Sequence, residues 1–448
     1  MKKRFVLLLL IFVTFIGLWQ AGKGTAVAEP DEPLAPDAAG PNWQAIGKIS
    51  QTSVLSDAVL PAIATSNDGS KVIVVYNGII NNEDGNRDVF YARSTNFGQS
   101  WNTKNRIHSS SGGTANSNFV DVAISPNNKG HAVWVEEVSD VPRLVYKNED
   151  NWGANTTNLV TISTVPAFSD VIADPQIVAK SNSRLDIVWS EGTASTDVNI
   201  FHAYSTNGGA SFTGKTAVAQ TAPSSDFPDL TIDASGTYHL VWAEGTIPSR
   251  TILYSRGVPS GNAVTWSSPI NISVRSIPGN ASDATQPKIY ANGNVLHVSY
   301  ANFVSKQEQY IHHVQCSQNC TTASNWISTN NPVSGQVLTA KASDPFDLVS
   351  TIGQVGSCTY VYFHGIQGDS SDSDNRERIW GTNSCGNWAA SVRDQVTATD
   401  VRSINPTMTS ANNWWLYMAY EQVSSNSSLR EIYFVRNQPA IYLPTILK

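Results

Sequence analysis

Eight carboxylates recur at two kinds of place in the chain and are the residues best suited to chemistry. Asp57, Asp174, Asp226 and Asp344 each come before an alternating apolar segment, and Glu136, Glu191, Glu244 and Glu421 each follow one. Converging carboxylates can bind a cation, accept hydrogen bonds from sugar hydroxyls, or act as an acid and base pair. Single acids at such places also cap turns or face water. The recurrence Trp-x-Glu at Glu136, Glu191 and Glu244 reads as inherited repeat structure rather than as a site. His131, His239 and His297 share one position, three residues before a strand-ending aromatic, so they fall in separate repeats and form no metal cluster. The acid-rich stretch 369–374 could hold calcium, but it lacks the Gly and terminal Glu of an EF-hand loop and also reads as solvated. No other metal or cofactor is expected. Gly-x-Ser-x-Gly, a P-loop and a Cys/His nucleophile pair are all absent.

The elements that must position these acids are short strands. The chain has 448 residues with 41% hydrophobic and only 15% charged residues, where an average globular protein carries about 25% charged. Its 30 Gly, 21 Pro and 13 Trp favour tight turns and large packed side chains over long helices. Formal charge is −7 with no Lys/Arg run in the body of the chain, which argues against a nucleic-acid partner.

One phrase repeats seven times: an anchor, usually Pro, then an alternating strand, a turn, and a second strand ending in an aromatic. LPAIATSNDGSKVIVVY from Leu60 and FPDLTIDASGTYHLVW from Phe227 are two copies. The anchors Pro61, Val120, Pro175, Pro228, Pro287, Pro345 and Pro406 are 53 to 61 residues apart, the copy near Asp344-Pro345 being degraded. A third strand follows in each, then a fourth opening on Trp101, Trp152, Phe212, Trp266, Trp326 or Trp388. Four strands per repeat describe an all-β protein, a seven-bladed β-propeller of four-stranded antiparallel blades. The seventh repeat lacks its own fourth strand, while Asn42 to Ser50 offers a surplus one with Trp43 at the aromatic place. The N-terminal strand should therefore close the last blade, which a linear β-solenoid would not require.

Strands alternate in direction, so the starts of first strands and the ends of second strands share one face. That face collects the eight acids. Arg402 could add a cation there, with Arg275 and Arg393 in loops of the same face.

The turns Ser94 to Trp101 and Ser205 to Phe212 resemble the Asp-box, or bacterial neuraminidase repeat, of the sialidase-like superfamily. Ser94, Asn96, Gly98 and Trp101, and Ser205, Asn207, Gly209 and Phe212, occupy its marked positions, with Asn in place of the usual Asp. The resemblance covers essentially the whole repeat region and implies a sialidase-like propeller, although typical sialidases have six blades. The family needs an arginine triad for the substrate carboxylate, a Tyr activated by Glu, and an Asp. Its first arginine would fall at Val59-Leu60-Pro61, where there is none, so no catalytic residue carries over.

The ends of the chain suggest export. Lys2, Lys3 and Arg4, the apolar run Phe5 to Trp19 and Ala26-Val27-Ala28 form a secretory signal over 1–28, a retained anchor being the alternative. Residues 29–41 then form a linker, 42–437 the propeller, and 438–448 an apolar tail that is either a surface-sorting feature or a packed strand. Cleavage after Ala28 leaves 25 of the 29 Lys and Arg against 36 acids, a formal charge of −11. Export permits disulfides, and among three possible pairings Cys316–Cys320, close in sequence, and Cys358–Cys385, in neighbouring strands of one sheet, are expected. The expected product is a secreted monomer, cell-surface associated if the tail retains it, that touches membrane only through the signal segment. Three functions compete: a non-catalytic module binding glycan or a surface protein on its acidic face, a sialidase-like glycoside hydrolase of exo-alpha-sialidase type, and a structural or adhesive surface module.

Overall fold

A computed structural model describes residues 43–50, 55–80, 85–108, 115–153, 158–165, 170–193, 197–219, 224–273, 283–305, 308–328, 337–338, 349–367, 378–384, 394–397, 401–412, 415–423 and 429–437. The proposed signal and linker, the C-terminal tail, Asp344, Arg275, Arg393, Trp388, Cys385 and the stretch 369–374 lie outside them. Among the described residues no helix is long and apolar enough to cross a membrane.

The protein is an all-β, seven-bladed propeller. Its first strands are Leu55–Thr65, Ala115–Ile124, Val171–Ala179, Ser225–Ile232, Asp283–Asn292, Ser350–Val355 and Arg402–Ala411. Each packs beside the first strand of the next blade, and the seventh packs beside the first, so these strands ring the axis. Blade three shows the plan, with Val171–Ala179, Leu185–Gly192, Val198–Ser205 and Thr216–Ala219 in antiparallel order.

The ring closes as the repeat count requires. Trp43–Lys48 pairs antiparallel with Arg430–Asn437, Trp43 opposite Asn437 and Lys48 opposite Tyr433, completing blade seven. Trp43 is buried, donates its indole N–H to the Tyr362 hydroxyl at 3.1 Å, and meets that ring edge-on.

Alternating apolar residues produce a core in layers. Second strands such as Tyr238–Glu244 are buried along their whole length because each is covered by a blade on either side. Among the described residues seven apolar clusters result, one between each pair of adjacent blades, as with Trp134 between blades one and two and Trp242 between three and four.

Two blades depart from the simple pattern. In blade four the expected fourth strand is split: Ala263–Trp266 folds back on the long third strand Thr251–Ser260, and Ile270–Asn271 pairs farther along it. Trp266 thus ends a short strand rather than opening one. Blades five and six are joined by Val337–Leu338, where Val337 lies opposite both Gln309 and Gln367. Cys316 and Cys320 are bonded across the turn leaving the third strand of blade five. Cys358 is also disulfide-bonded, and its expected partner Cys385 lies outside the described residues.

A bulge recurs at the axis. Leu60, Phe119, Asp174, Phe227, Gln286 and Asn405, each just before an anchor, have φ between 48° and 55°. At each, the first strand carries one extra residue against its partner. Proline has no N–H for the ladder, and a bulge lets the strand pass it without losing the pairing on either side. Left-handed backbone at a bulky residue costs about 1–3 kcal/mol, so the surrounding ring must enforce it.

Because Trp43 fixes the closing strand against blade six, Trp43→Ala should lower unfolding free energy by about 3–5 kcal/mol. Lys48→Ala, which removes the exposed ion pair to Glu431, should change it by less than about 0.5 kcal/mol. Urea unfolding of the two variants checks this; equal effects would exclude Trp43 as the closing contact.

Candidate functional site

The bulge decides which side chains face the axis. The residue after each anchor is Ala62, Asp121, Gln176, Asp229, Lys288 or Thr407, taking the described bulges in order. Asp121 accepts the backbone N–H of Ile177 at 2.8 Å, and Asp229 that of Ile289 at 2.6 Å. Each carboxylate thereby ties its first strand to the neighbouring one. The Lys288 ammonium lies 3.3 Å from the Asp229 carboxylate. Burial works against that ammonium, yet Asp229, Asp121 and Asp174 together hold its pKa above the ordinary lysine value. Those acids come from blades two, three and four and Lys288 from blade five, so their charges meet across the axis.

Asp174 and Asp226 sit at the bulges of adjacent blades. Asp174 is itself the positive-φ residue of blade three, and Asp226 immediately precedes the positive-φ Phe227 of blade four. Burial, reinforced by the Asp226 charge, pushes the Asp174 pKa up to about 7 against help from Lys288 and the Phe227 N–H. Burial likewise raises Asp226 to about 6, with Arg250 and Ser224 pulling the other way. Asp121 is raised by burial to about 7. A group of carboxylates held near neutrality can accept hydroxyl protons when ionised or donate one when protonated.

The other acids of this face have partners of their own, although Glu244 Oε1 and Glu421 Oε2 are buried without a hydrogen-bond partner. Asp57 takes both Nε and Nη2 of Arg430, at 2.9 and 2.5 Å, with Arg87 at 3.8 Å. Glu136 is buried between His108 at 2.8 Å and the Arg143 fork at 2.9 and 2.5 Å. Burial opposes its charge, but these two partners hold its pKa below the usual glutamate value. Glu191 accepts the Trp189 indole at 2.8 Å, the Ser163 hydroxyl at 2.7 Å, and Lys215. Glu244 accepts the Trp242 indole at 2.9 Å and the Ser225 hydroxyl at 2.6 Å. In both, the Trp-x-Glu recurrence is an internal hydrogen bond that locks the end of a second strand. Glu421 is fully buried, accepting the Leu60 N–H at 2.7 Å and the Asn405 amide at 2.8 Å. Arg402 opens the first strand of blade seven and is half-buried.

Sequence reasoning thus found Asp174 and Asp226 but missed Asp121, Asp229 and Lys288. The available signal was position: each directly follows its anchor, in the phrases FVD, FPD and QPK.

The equivalent histidines stay in their own blades. His131 contacts the Tyr146 and Ser125 hydroxyls at 2.6 and 2.9 Å, and His239 the Tyr254 hydroxyl and Asp233 at 2.8 and 3.1 Å. His297 contacts His313 at 3.2 Å.

The turns on the opposite face are self-contained. Ser94 Oγ accepts the Gly98 N–H at 2.9 Å while Asn96 Oδ1 accepts the Ser100 N–H at 3.0 Å, and Ser205 and Asn207 repeat the pattern at the same distances. A Cβ on Gly209 would meet the Tyr146 hydroxyl at 2.1 Å, and φ there is +87°, so glycine is required. Trp101 packs on Phe434 and Phe212 on Tyr146, with ring centroids 4.6 and 5.0 Å apart, joining each turn to the preceding blade.

No family model matches the chain, and no curated protein matches it in sequence. Among solved structures, Trypanosoma rangeli sialidase in complex with the inhibitor DANA aligns at TM-score 0.45 and 11% identity, covering 87% of this chain and 57% of that one. A protein of unknown function from Dyadobacter fermentans aligns at TM-score 0.50 and 11% identity over 89% of this chain and 99% of that one. The GH93 α-L-arabinofuranosidase of Fusarium graminearum, in complex with arabinobiose, aligns at TM-score 0.45 and 11% identity over 75% and 95%. This chain spans less than two thirds of the length of the sialidase. The likeness is one of fold, a β-propeller, and fold alone assigns no activity.

The raised Asp174 pKa carries a stability consequence. Its folded value of about 7 exceeds the ordinary 3.8, so its favourable contribution is complete below pH 3.8 and is lost as pH rises to about 7. Asp174→Asn, which mimics the protonated form, should stabilise the protein at pH 8 by on the order of 2–4 kcal/mol. The gain should shrink as pH falls and vanish near pH 4. A pH-independent difference in melting temperature would refute this.

Proposed function

We propose that the protein is an exported propeller whose axial carboxylates bind neutral glycan, with Asp174 and Asp226 accepting sugar hydroxyls. The observation that carries this reading is the contrast in pairing with three other acids of the face. Asp57, Glu136 and Glu191 are neutralised by Arg430, His108 with Arg143, and Lys215. For Asp174 and Asp226 the side-chain and backbone partners are the Phe227 N–H and the Ser224 hydroxyl. Arg250 lies near Asp226, but its fork is closed on Asp283 at 2.8 and 2.6 Å. Acceptors left for a ligand at the mouth of a propeller suit hydroxyl donors. An anionic sugar is disfavoured, because Arg87, Arg143, Arg250 and Arg430 on this face already hold acids.

A second reading rests on the same pair. A carboxyl protonated near neutrality beside an ionised one is the arrangement of a general acid and its partner in glycoside hydrolysis. The two readings differ in pH dependence. Hydroxyl binding strengthens as Asp226 and Asp174 ionise through about pH 6 and 7, whereas an acid-catalysed turnover falls over the same range. Secretion, a monomeric state and a surface role for the tail belong to this proposal, the intramolecular disulfide being consistent with export.

Glycan-array binding of the mature protein, beside turnover of neutral aryl glycosides and a fluorogenic sialoside, tests both readings. The binding reading expects neutral-glycan affinity that rises from pH 5 to pH 8 and falls at least tenfold in Asp174→Asn/Asp226→Asn. Turnover of a neutral glycoside that declines above pH 7 and is lost in Asp174→Asn would establish the hydrolase instead. Sialoside cleavage abolished by Arg402→Ala would overturn the neutral-sugar assignment altogether.

A further inference from the structure

The face opposite the axial acids carries a cleft between blades five and six. Its volume is about 470 Å³, inside the roughly 300–1,000 Å³ of small-molecule sites. The turns that end the first strands of the two blades form its walls, through Asn292 and Val295 on one side and Gly356 and Ser357 on the other. Between them lie His297, Gln315, Gln354, Thr359 and Ser384. None of these residues carries a formal charge. Burial holds the His297 ring at a pKa of about 4, so it too is neutral at physiological pH.

Gln354 is the distinguishing residue. Its side chain is buried, 3% exposed, and its amide nitrogen donates to the Gly356 carbonyl at 3.0 Å. That bond fixes the orientation of the amide, since a carbonyl oxygen facing another carbonyl would repel. The Gln354 Oε1 is thereby turned away from Gly356 and has no hydrogen-bond partner. A buried acceptor left unpaired costs about 1–3 kcal/mol, and a hydroxyl from a bound ligand recovers that loss. His297 contributes a second polar group, held in place by the contact of its Nδ1 with His313.

We propose that this cleft is a second binding site, distinct from the axial mouth, for a neutral polyhydroxylated ligand of mono- or disaccharide size. Neutral amide, hydroxyl and imidazole groups match hydroxyls that donate and accept in turn. An ionic ligand would leave its charge unpaired there, which is costly in a partly dry site. The proposal does not depend on the axial reading.

The test uses Asp174→Asn/Asp226→Asn protein, so that the axial site does not contribute, and titrates it calorimetrically with glucose, maltose, cellobiose and lactose, with digalacturonic acid as the anionic counterpart. At least one neutral sugar should bind, and digalacturonic acid should bind at least tenfold more weakly. Gln354→Leu removes the unpaired acceptor and should weaken that binding at least tenfold while leaving the melting temperature unchanged or higher. Ser357→Trp, at an exposed turn on the cleft wall, should block it without touching Gln354. Absence of binding by every neutral sugar, binding that survives both substitutions, or equal binding of digalacturonic acid would each overturn the proposal. Loss of axial binding alone leaves these titrations unaffected, so the two sites fail separately.

Discussion

The structure depends on apolar layers that exist only between blades. A single blade presents two apolar faces and covers neither, so the burial of Trp134, Trp189 and Trp242 requires a neighbour on each side. A row of blades satisfies every face except the two at its ends. Closing the row into a ring removes those ends, and the closure is made by Trp43–Lys48 on the far end of the chain. Blade seven, with strands from both ends of the sequence, is therefore where loop-closure entropy is concentrated. The Trp43 indole reaching Tyr362 of blade six ties this composite blade to its neighbour. Similarly, Glu421 of blade seven grips the Leu60 backbone of blade one.

The same closure lets the axis hold groups that would not survive alone. Positive-φ Leu, Phe, Asp, Gln and Asn recur at one level of the ring, and each is strained. They persist because the first strands are packed side by side around the axis, with Asp121 and Asp229 bonding across to the next strand. Carboxylates raised toward neutrality are a second kind of stored cost. Strain and desolvation collected at one ring level are typical of sites where stability has been given up for binding or chemistry. The turns of the other face show the contrary arrangement, with the serine hydroxyls and asparagine carbonyls of Ser94, Asn96, Ser205 and Asn207 satisfied internally.

Much of the fold was legible because it is periodic. Anchors spaced by one blade, aromatics at the ends of second strands and the missing seventh fourth strand determine blade number, strand direction and closure. The face on which acids gather was legible for the same reason. Which acids remain available was not. Alternation counted along a strand assumes an unbroken pleat, and one extra residue before each anchor reverses the facing of everything beyond it. Asp121 and Asp229 therefore turn toward the ring interior from positions that read as ordinary strand residues. The Glu of Trp-x-Glu looked available because nothing local in the sequence reveals that the indole two residues earlier donates to it. Its other partners, Ser163 and Lys215 for Glu191, lie 28 and 24 residues away.

Net charge proved a poor guide to local potential for a related reason. A charge of −11, expected if the first 28 residues are removed, suggests a uniformly acidic face, yet arginines enter that face at the starts of third strands, as Arg87, Arg143, Arg250 and Arg430 do. Third strands begin on the face where second strands end, so the topology brings these cations to acids of their own or an adjacent blade. The Arg250–Asp283 fork between blades four and five is the most buried of these pairs, with both side chains 2% exposed. What remains is a compensated periphery around an axis where Lys288 is the cation shared by Asp229, Asp121 and Asp174. Long-range attraction or repulsion of a ligand is weak around such a periphery, because paired charges cancel within a Debye length. On the proposed glycan-binding reading, selection then occurs at short range, through hydroxyl geometry at Asp174 and Asp226 rather than through the sign of the ligand's charge at a distance.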